Sequence, residues 1–165
     1  MFDFNRLVTF SFPTSIDFGV AASKNIFKDL NNLQLSRPLL VTDRVLAKTK
    51  IFQQFVVETK ARGFLTTVFS DALGNPLVSH TTHGSSQFRD HDCDCIVAFG
   101  GGAAMDIAKS IALMCHHPGS ISDYASGFRK ISPSLYPVPI LFTIPTTSGT
   151  GSEVGRSSVI TLPKT

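Results

Sequence analysis

Two short loops of small residues carry the strongest chemical signal in this chain. The first, residues 100–103, reads Gly-Gly-Gly-Ala and joins the apolar run 95–99 to a segment with helical spacing. Glycines let a backbone approach an anion closely, and the free N–H groups of a helix start point at such a ligand. A tight strand–helix turn without a ligand uses the same residue types. The candidate phosphate-binding residues are Gly100, Gly101, Gly102 and Ala103, with the bare turn as the alternative.

The second loop, residues 145–153, is rich in hydroxyls and glycines and follows the apolar run 140–144. Its hydroxyls and backbone amides can bind a diphosphate and the nicotinamide side of a dinucleotide. A capped turn is the alternative, although few structural turns need so many of these residues in succession. The candidate residues are Thr146, Thr147, Gly149 and Thr150. Two such loops, each at the end of an apolar run, indicate a nucleotide site.

Each of three further polar residues is a candidate either for binding a ligand or for stabilising the local backbone. Ligands of an open parallel sheet bind beyond the carboxyl ends of its strands. There, Asp43 can accept hydrogen bonds from an adenosine ribose and repel a 2′-phosphate, or it can cap the helix that begins near Val45. Asn75 either reaches the phosphate side of a cofactor or only forms an Asn-Pro turn. Asp106, expected in the first turn of a helix, either contacts the ligand or is simply favoured by the helix dipole.

Short apolar runs alternate with segments of helical spacing along the chain. The strands are predicted at 39–42, 64–69, 95–99 and 140–144. The helices are predicted at 20–31, 45–62, 77–90 and 103–115. Strands that are apolar on both faces are typical of a covered parallel sheet. This order predicts an α/β fold, a doubly wound, mostly parallel and Rossmann-like sheet, in one dinucleotide-binding domain over residues 1–165.

Other segments have less regular patterns. Residues 9–12 and 16–18 are predicted to form an N-terminal edge hairpin, and residues 153–162 a late hairpin or edge strand. The helix at 77–90 contains many weak helix formers, so we expect it to be the most mobile element. The proline-containing stretch 126–139 is expected to be a long surface loop.

Composition narrows the class of protein. The chain has 165 residues, of which 42% are hydrophobic and 16% charged, and a formal net charge of +3, as in a globular domain. This charge is too small to favour nucleic acid, and no apolar run approaches the roughly 20 residues of a membrane helix. The three cysteines form no disulfide framework, so we expect reduced thiols and a cytoplasmic protein without a secretory signal. His80 and His83, one helical turn apart, are expected to face solvent and to hold no metal.

The two loops resemble those of the iron-containing (group III) alcohol dehydrogenase family, whose members typically read GGGSxxDxAK and then PTTxGTGSEV. The resemblance extends over nearly the whole chain, including Phe18-Gly19, Val41-Thr42-Asp43 and Asn75-Pro76. Two positions depart from the family pattern, since Ala103 replaces a serine and Gly155 a threonine. The lost serine hydroxyl is expected to weaken cofactor binding by ~1 kcal/mol, the typical net value of one hydrogen bond.

The resemblance implies an NAD-binding domain of the dehydroquinate synthase-like type, with Asp43 at the ribose and Val159 lining the nicotinamide-side pocket. The family's enzymes transfer hydride between a small alcohol, or its aldehyde or ketone, and NAD, with iron or zinc. Their metal is held by an aspartate and three histidines of a C-terminal helical domain, and this chain stops at Thr165 before that domain begins. The resemblance therefore implies the cofactor-binding half of such an enzyme, inactive by itself.

The resemblance also bears on partners and leaves alternatives open. Family members commonly form homodimers through N-terminal strands, and residues 9–12 offer such an edge. One alternative is a related enzyme on the same fold, such as a glycerol dehydrogenase, a maleylacetate reductase or a dehydroquinate synthase. The other is a nucleotide-binding module with no catalysis of its own.

Overall fold

The computed structural model describes residues 14–72, 74–125 and 136–162. Its centre is a four-stranded sheet in the order β2-β1-β3-β4, and all neighbouring strands are parallel. The strands are β1 Pro38–Asp43, β2 Thr67–Ala72, β3 Cys95–Gly100 and β4 Ile140–Pro145. The expected parallel sheet is therefore confirmed.

Helices cover both faces of this sheet, as in a doubly wound fold. They are α1 Asn25–Asn32, α2 Lys50–Ala61, α3 Val78–Asp90 and α4 Gly102–Met114, with short 3-10 helices at Ala22–Lys24, Leu46–Lys48 and Ile121–Tyr124. Of the helices in the described ranges, none combines the length and the apolar content needed to cross a bilayer.

Two apolar clusters lie on opposite faces of the sheet because side chains alternate along each strand. Leu40 and Val97 pack with α1 and α2 in one cluster. Their strand neighbours Leu39 and Ile96 pack with α3 and α4 in the other. The central strands β1 and β3 are thus buried on both faces, which explains their continuous apolar sequences.

Among the predicted boundaries that were wrong, two have clear local reasons. The second strand begins at Thr67 and not at residue 64, because the Phe64 and Leu65 amides bond to carbonyls outside the sheet, those of Thr59 and Ser36. The predicted helix 45–62 is divided at Thr49, whose backbone is extended and whose Oγ1 accepts from the Phe52 amide at 3.4 Å. Threonine is a preferred N-cap, so α2 starts only at the next residue.

The predicted edge hairpins were also wrong where the structure describes them. Residues 16–18 form no strand, and their predicted partner 9–12 lies outside the described residues. Residues 153–162 form no hairpin and contribute a single parallel bridge, Thr161 to Leu77. Side chains of α4 take the hydrogen bonds that a ladder would use, as described below.

Helix α3 forms over nearly the whole predicted range despite its weak helix formers, and its expected mobility stays a prediction. Its close packing on α4 depends on Gly84. A Cβ atom added there would lie 2.1 Å from Cδ1 and 2.7 Å from Cγ1 of Ile111, which is fully buried. The absent side chain therefore lets two helices on the same sheet face approach each other.

We expect the substitution Gly84→Ala to lower the free energy of unfolding. Overpacking a filled core costs about 1–3 kcal/mol, which exceeds the ~1 kcal/mol gained by replacing a helical glycine with alanine. Urea unfolding measures the difference, with the exposed Ser79→Ala on the same helix as the control.

A second substitution, Ile111→Val, removes the Cδ1 atom and should restore part of the stability lost in Gly84→Ala. An unfolding free energy for Gly84→Ala at or above that of the wild-type chain would contradict this packing.

Candidate functional site

The glycine turn between β3 and α4 is shaped by close packing. None of Gly100, Gly101 and Gly102 has a positive φ, so their backbone conformations do not themselves require glycine. A Cβ atom would instead lie 2.7 Å from Cβ of Ala104 at the first position and 3.0 Å from Oγ1 of Thr147 at the second. At the third it would lie 3.3 Å from Cβ of Thr150. The turn therefore brings the start of α4 against the threonine loop.

The threonine loop, residues 146–151, is tied to that turn by backbone bonds. The Thr146 amide donates to the Gly100 carbonyl at 2.9 Å. Gly149 and Gly151 adopt positive φ values of 86° and 65°, which L side chains rarely allow, so glycine is needed for the bends of this loop. The predicted residues of both loops are thus assembled in one place, beyond the carboxyl ends of β3 and β4.

This arrangement has the chemistry of an anion site. The first amides of a helix have no intrahelical acceptor, and the helix dipole adds partial positive charge at the same point. Helix α4 has no acidic residue in its first turn, so no carboxylate competes there for these donors. The exposed threonines at 146 and 147 add hydroxyl donors beside them. Backbone amides and hydroxyls of this kind are the donors that bind phosphate groups at helix N-termini.

Asp43 at the end of β1 has the predicted capping role, and its ribose role stays a prediction. Its Oδ1 accepts hydrogen bonds from the Val45 and Leu46 amides, both at 2.8 Å, so the carboxylate does cap the turn after β1. Because one oxygen takes both amides, the other oxygen stays available for a ligand hydroxyl. The cap therefore orients Asp43 without excluding a bond to ribose.

Asn75 lies at the far side of the same edge, after β2. It is exposed, and it follows Gly74, whose φ is 73°. Because β1 separates β2 from β3 in the sheet, Asn75 belongs to a different part of the edge from the two loops. The Pro76 carbonyl beside it accepts from the Thr161 amide at 2.8 Å, so the C-terminal residues reach this point.

Asp106 departs from its predicted place and surroundings. It is the fifth residue of α4, which begins at Gly102, so the expectation that it lies in the first turn was wrong. Its Oδ1 accepts from Ser152 Oγ at 2.6 Å and its Oδ2 from the Val159 amide at 3.1 Å. Its two carboxylate oxygens thus bind protein groups.

Lys109 completes this cluster, and sequence reasoning missed it. Its Nζ lies 2.8 Å from Ser152 Oγ, 2.8 Å from the Ser157 carbonyl and 3.4 Å from Asp106 Oδ1. An aspartate and a lysine three residues apart on a helix face are a recognisable pair. Their bonds to a segment more than 40 residues later carry no local sequence signal.

His80 at the start of α3 was expected to face solvent, but it is buried. Its Nδ1 accepts from the Leu77 amide at 3.2 Å, which satisfies one free donor of the helix start. Burial lowers the pKa of His80 below its ordinary value, in keeping with a neutral ring that accepts. His83 is exposed as expected. The described residues hold no group of three or more His, Cys, Asp or Glu side chains arranged for a metal.

Comparison with known sequences gives a consistent set of relatives. The model of the family "iron-containing alcohol dehydrogenase" matches residues 13–165. A choline dehydrogenase of Bacillus subtilis is 38% identical over 153 residues, which cover 93% of this chain and 38% of that protein. An NAD-dependent methanol dehydrogenase of Bacillus methanolicus is 30% identical over 155 residues, covering 94% and 40%.

Solved structures give the same result. A sulfoacetaldehyde reductase from Bifidobacterium kashiwanohense in complex with NAD+ superposes with a TM-score of 0.79 at 30% identity, over 90% of this chain and 38% of that one. An NADH-dependent butanol dehydrogenase A from Thermotoga maritima superposes with a TM-score of 0.83 at 25% identity, over 94% and 38%. The chain spans less than half the length of the relatives it matches.

Proposed function

Because the chain belongs to the iron-containing alcohol dehydrogenase family, we propose that it binds NAD and supplies the cofactor-binding part of a metal-dependent alcohol dehydrogenase. One observation carries the proposal at the level of residues. The glycine turn and the threonine loop meet at the start of α4 through the Thr146–Gly100 bond. These two segments contain the sequence motifs that resemble those of the family. An open α/β sheet binds dinucleotides at this edge.

Each part of the cofactor has proposed partners along the edge. The pyrophosphate lies on the amides of residues 100–103, and the threonine loop binds its other side and the nicotinamide ribose. The free oxygen of Asp43 accepts from the adenosine ribose, and Asn75 lies on the phosphate side. Val159, which is 73% exposed, lines the nicotinamide-side pocket. The remaining candidate, Asp106, has a different role, argued in the next subsection.

The proposed reaction is hydride transfer between an alcohol and NAD, giving the aldehyde or ketone and NADH. A bound metal, iron or zinc, supplies polarisation of the substrate oxygen in such enzymes. By the resemblance, its ligands belong to a second, helical domain, so this chain's own residues only bind and orient the cofactor. We therefore expect the 165-residue chain to show no alcohol oxidation by itself. The substrate proposed is a small alcohol or its aldehyde, the class to which the named relatives point.

Two further properties, the compartment and the oligomeric state, are also proposed. Cys93, Cys95 and Cys115 are all buried free thiols, which favours a reducing compartment such as the cytoplasm. Ile16, Phe18 and Val20 are strongly exposed, and large exposed apolar side chains favour association, so we propose a homodimer.

We expect isothermal calorimetry to detect NAD binding by the wild-type chain, with at least a tenfold loss of affinity in Gly101→Val. The added side chain displaces Thr147, a proposed ligand residue whose Oγ1 lies 3.0 Å from the position of a Cβ atom, and so separates the glycine turn from the threonine loop. Ala61→Val, at the exposed last residue of α2, is the matched control and should bind as the wild type does. Absence of NAD binding by the wild type, or equal binding by Gly101→Val, would contradict the proposal.

Cofactor choice gives a separate test of Asp43. Asp43→Asn keeps an oxygen for the cap but removes the charge that repels a 2′-phosphate. We expect the ratio of NAD to NADP affinity to fall by about tenfold or more, because like charges placed together are costly. Titration of both cofactors measures this ratio. An unchanged ratio in Asp43→Asn and in Asp43→Gly would leave Asp43 as a cap alone.

A further inference from the structure

The cluster around Asp106 and Lys109 is a closed set of hydrogen bonds. Lysine carries three N–H donors, and three oxygens lie within 3.4 Å of Lys109 Nζ. Ser152 links the two side chains, since its hydroxyl donates to Asp106 and accepts from Lys109. Only 13% of the Lys109 side chain and 14% of the Asp106 side chain are exposed. The cluster therefore satisfies its own polar groups away from bulk water.

The hydrogen bonds of this cluster argue against a direct contact between Asp106 or Lys109 and a phosphate. A lysine shortly after a glycine turn suggests a cation that reaches the phosphates, as in a phosphate-binding loop. Here the Lys109 ammonium is taken up by Ser152, the Ser157 carbonyl and Asp106. Asp106 likewise uses both carboxylate oxygens on protein donors. Lys109 thus meets three protein oxygens and Asp106 three protein donors, which favours a role within the protein over a cofactor contact.

The bonds instead fasten one segment, residues 152–162, which we call the strap. The strap leaves the threonine loop through a turn in which the Gly155 amide donates to the Gly151 carbonyl at 2.9 Å. It then crosses α4 at Asp106 and Lys109. Beyond them the Thr161 amide donates to the Pro76 carbonyl at 2.8 Å. The strap is thus held at both ends but has no ladder of its own between them.

We propose that Asp106 and Lys109 are positioning residues that fasten the strap to α4, and that they do not touch the cofactor. We call the hydrogen bonds from Asp106 and Lys109 to the strap the clasp. The consequence of this proposal rests on the proposed function: the clasp holds Val159 where the nicotinamide end of NAD lies. The Val159 amide is itself bonded to Asp106 Oδ2, so this position is the one that the clasp fixes most directly. Loss of the clasp then weakens binding of the nicotinamide end and spares the ADP end.

The first arm of the test needs no ligand. Backbone order parameters from 15N relaxation report whether a segment is rigid, with values near 0.85, or flexible, with values below about 0.6. In wild type we expect Val159 near the rigid value. Asp106→Asn leaves one carbonyl oxygen where two carboxylate oxygens were used, and Lys109→Met removes the ammonium at similar length. Both should lower the Val159 value below about 0.6.

The second arm compares NAD with ADP by calorimetry. Both variants should lose at least tenfold in NAD affinity while ADP affinity stays within about twofold of wild type. Lys60→Met, an exposed lysine on α2, makes the same charge change away from the site and should alter neither affinity nor the order parameter. A merely structural loss of fold would lower both affinities together and would change the circular dichroism spectrum.

Each result has a distinct meaning. An unchanged Val159 order parameter in both variants would overturn the clasp. A fall in ADP affinity equal to that in NAD affinity, with the strap still rigid, would make Asp106 and Lys109 phosphate contacts and would also overturn it. If the wild-type chain binds neither NAD nor ADP, the proposed function fails, and the order parameters alone decide the clasp.

Discussion

The bond from the Thr146 amide to the Gly100 carbonyl is the constraint on which the site depends. Gly100 and Pro145 are the last paired residues of β3 and β4. In a parallel pair the amide donor comes from the residue after the partner, so the Thr146 amide completes the pairing of Gly100 just past the end of β4. The glycine turn and the threonine loop therefore leave the sheet in a fixed relation, and a side chain on either glycine 101 or 102 would meet the opposite loop.

Packing on the sheet face that holds α3 and α4 also fixes the position of the glycine turn. Helix α4 must start at the turn if its first free amides are to face a ligand there. Its buried residues pack against both β3 and α3. Two devices bring α3 close to it: Gly84, which has no side chain against Ile111, and the buried hydroxyl pair Thr81–Ser110 at 2.7 Å. The position of the glycine turn is thus set by core packing as well as by the loops.

Much of this arrangement can be read from local sequence. Central strands buried on both faces give continuous apolar runs, so β1 and β3 were predicted almost to the residue. Strand β2 was misplaced because Phe64, an apolar residue, belongs to the helix end, whereas the strand itself contains Ser70 and Asp71. The loops were recognised because their composition is unusual and matches a family.

The parts that escaped prediction depend on contacts between distant residues. The apolar positions of residues 153–162 suggest a strand, but Asp106 and Lys109 hold the segment by side-chain bonds that no periodicity encodes. The cap made by Asp43 was foreseen only as an alternative to ribose binding. The structure shows that Oδ1 alone accepts both amides, so the cap does not exclude a ligand bond to Oδ2.

The most direct test of the account is where a pyrophosphate binds. The chain has 12 glycines, so 15N-glycine labelling gives a sparse amide spectrum that can be followed during titration with inorganic pyrophosphate. We predict that the amides of Gly100, Gly101, Gly102, Gly149 and Gly151 shift with one binding curve, while those of Gly63 and Gly84 stay in place. Shifts confined to other glycines, or no shift at all at millimolar pyrophosphate, would contradict the claim that the two loops form the nucleotide site.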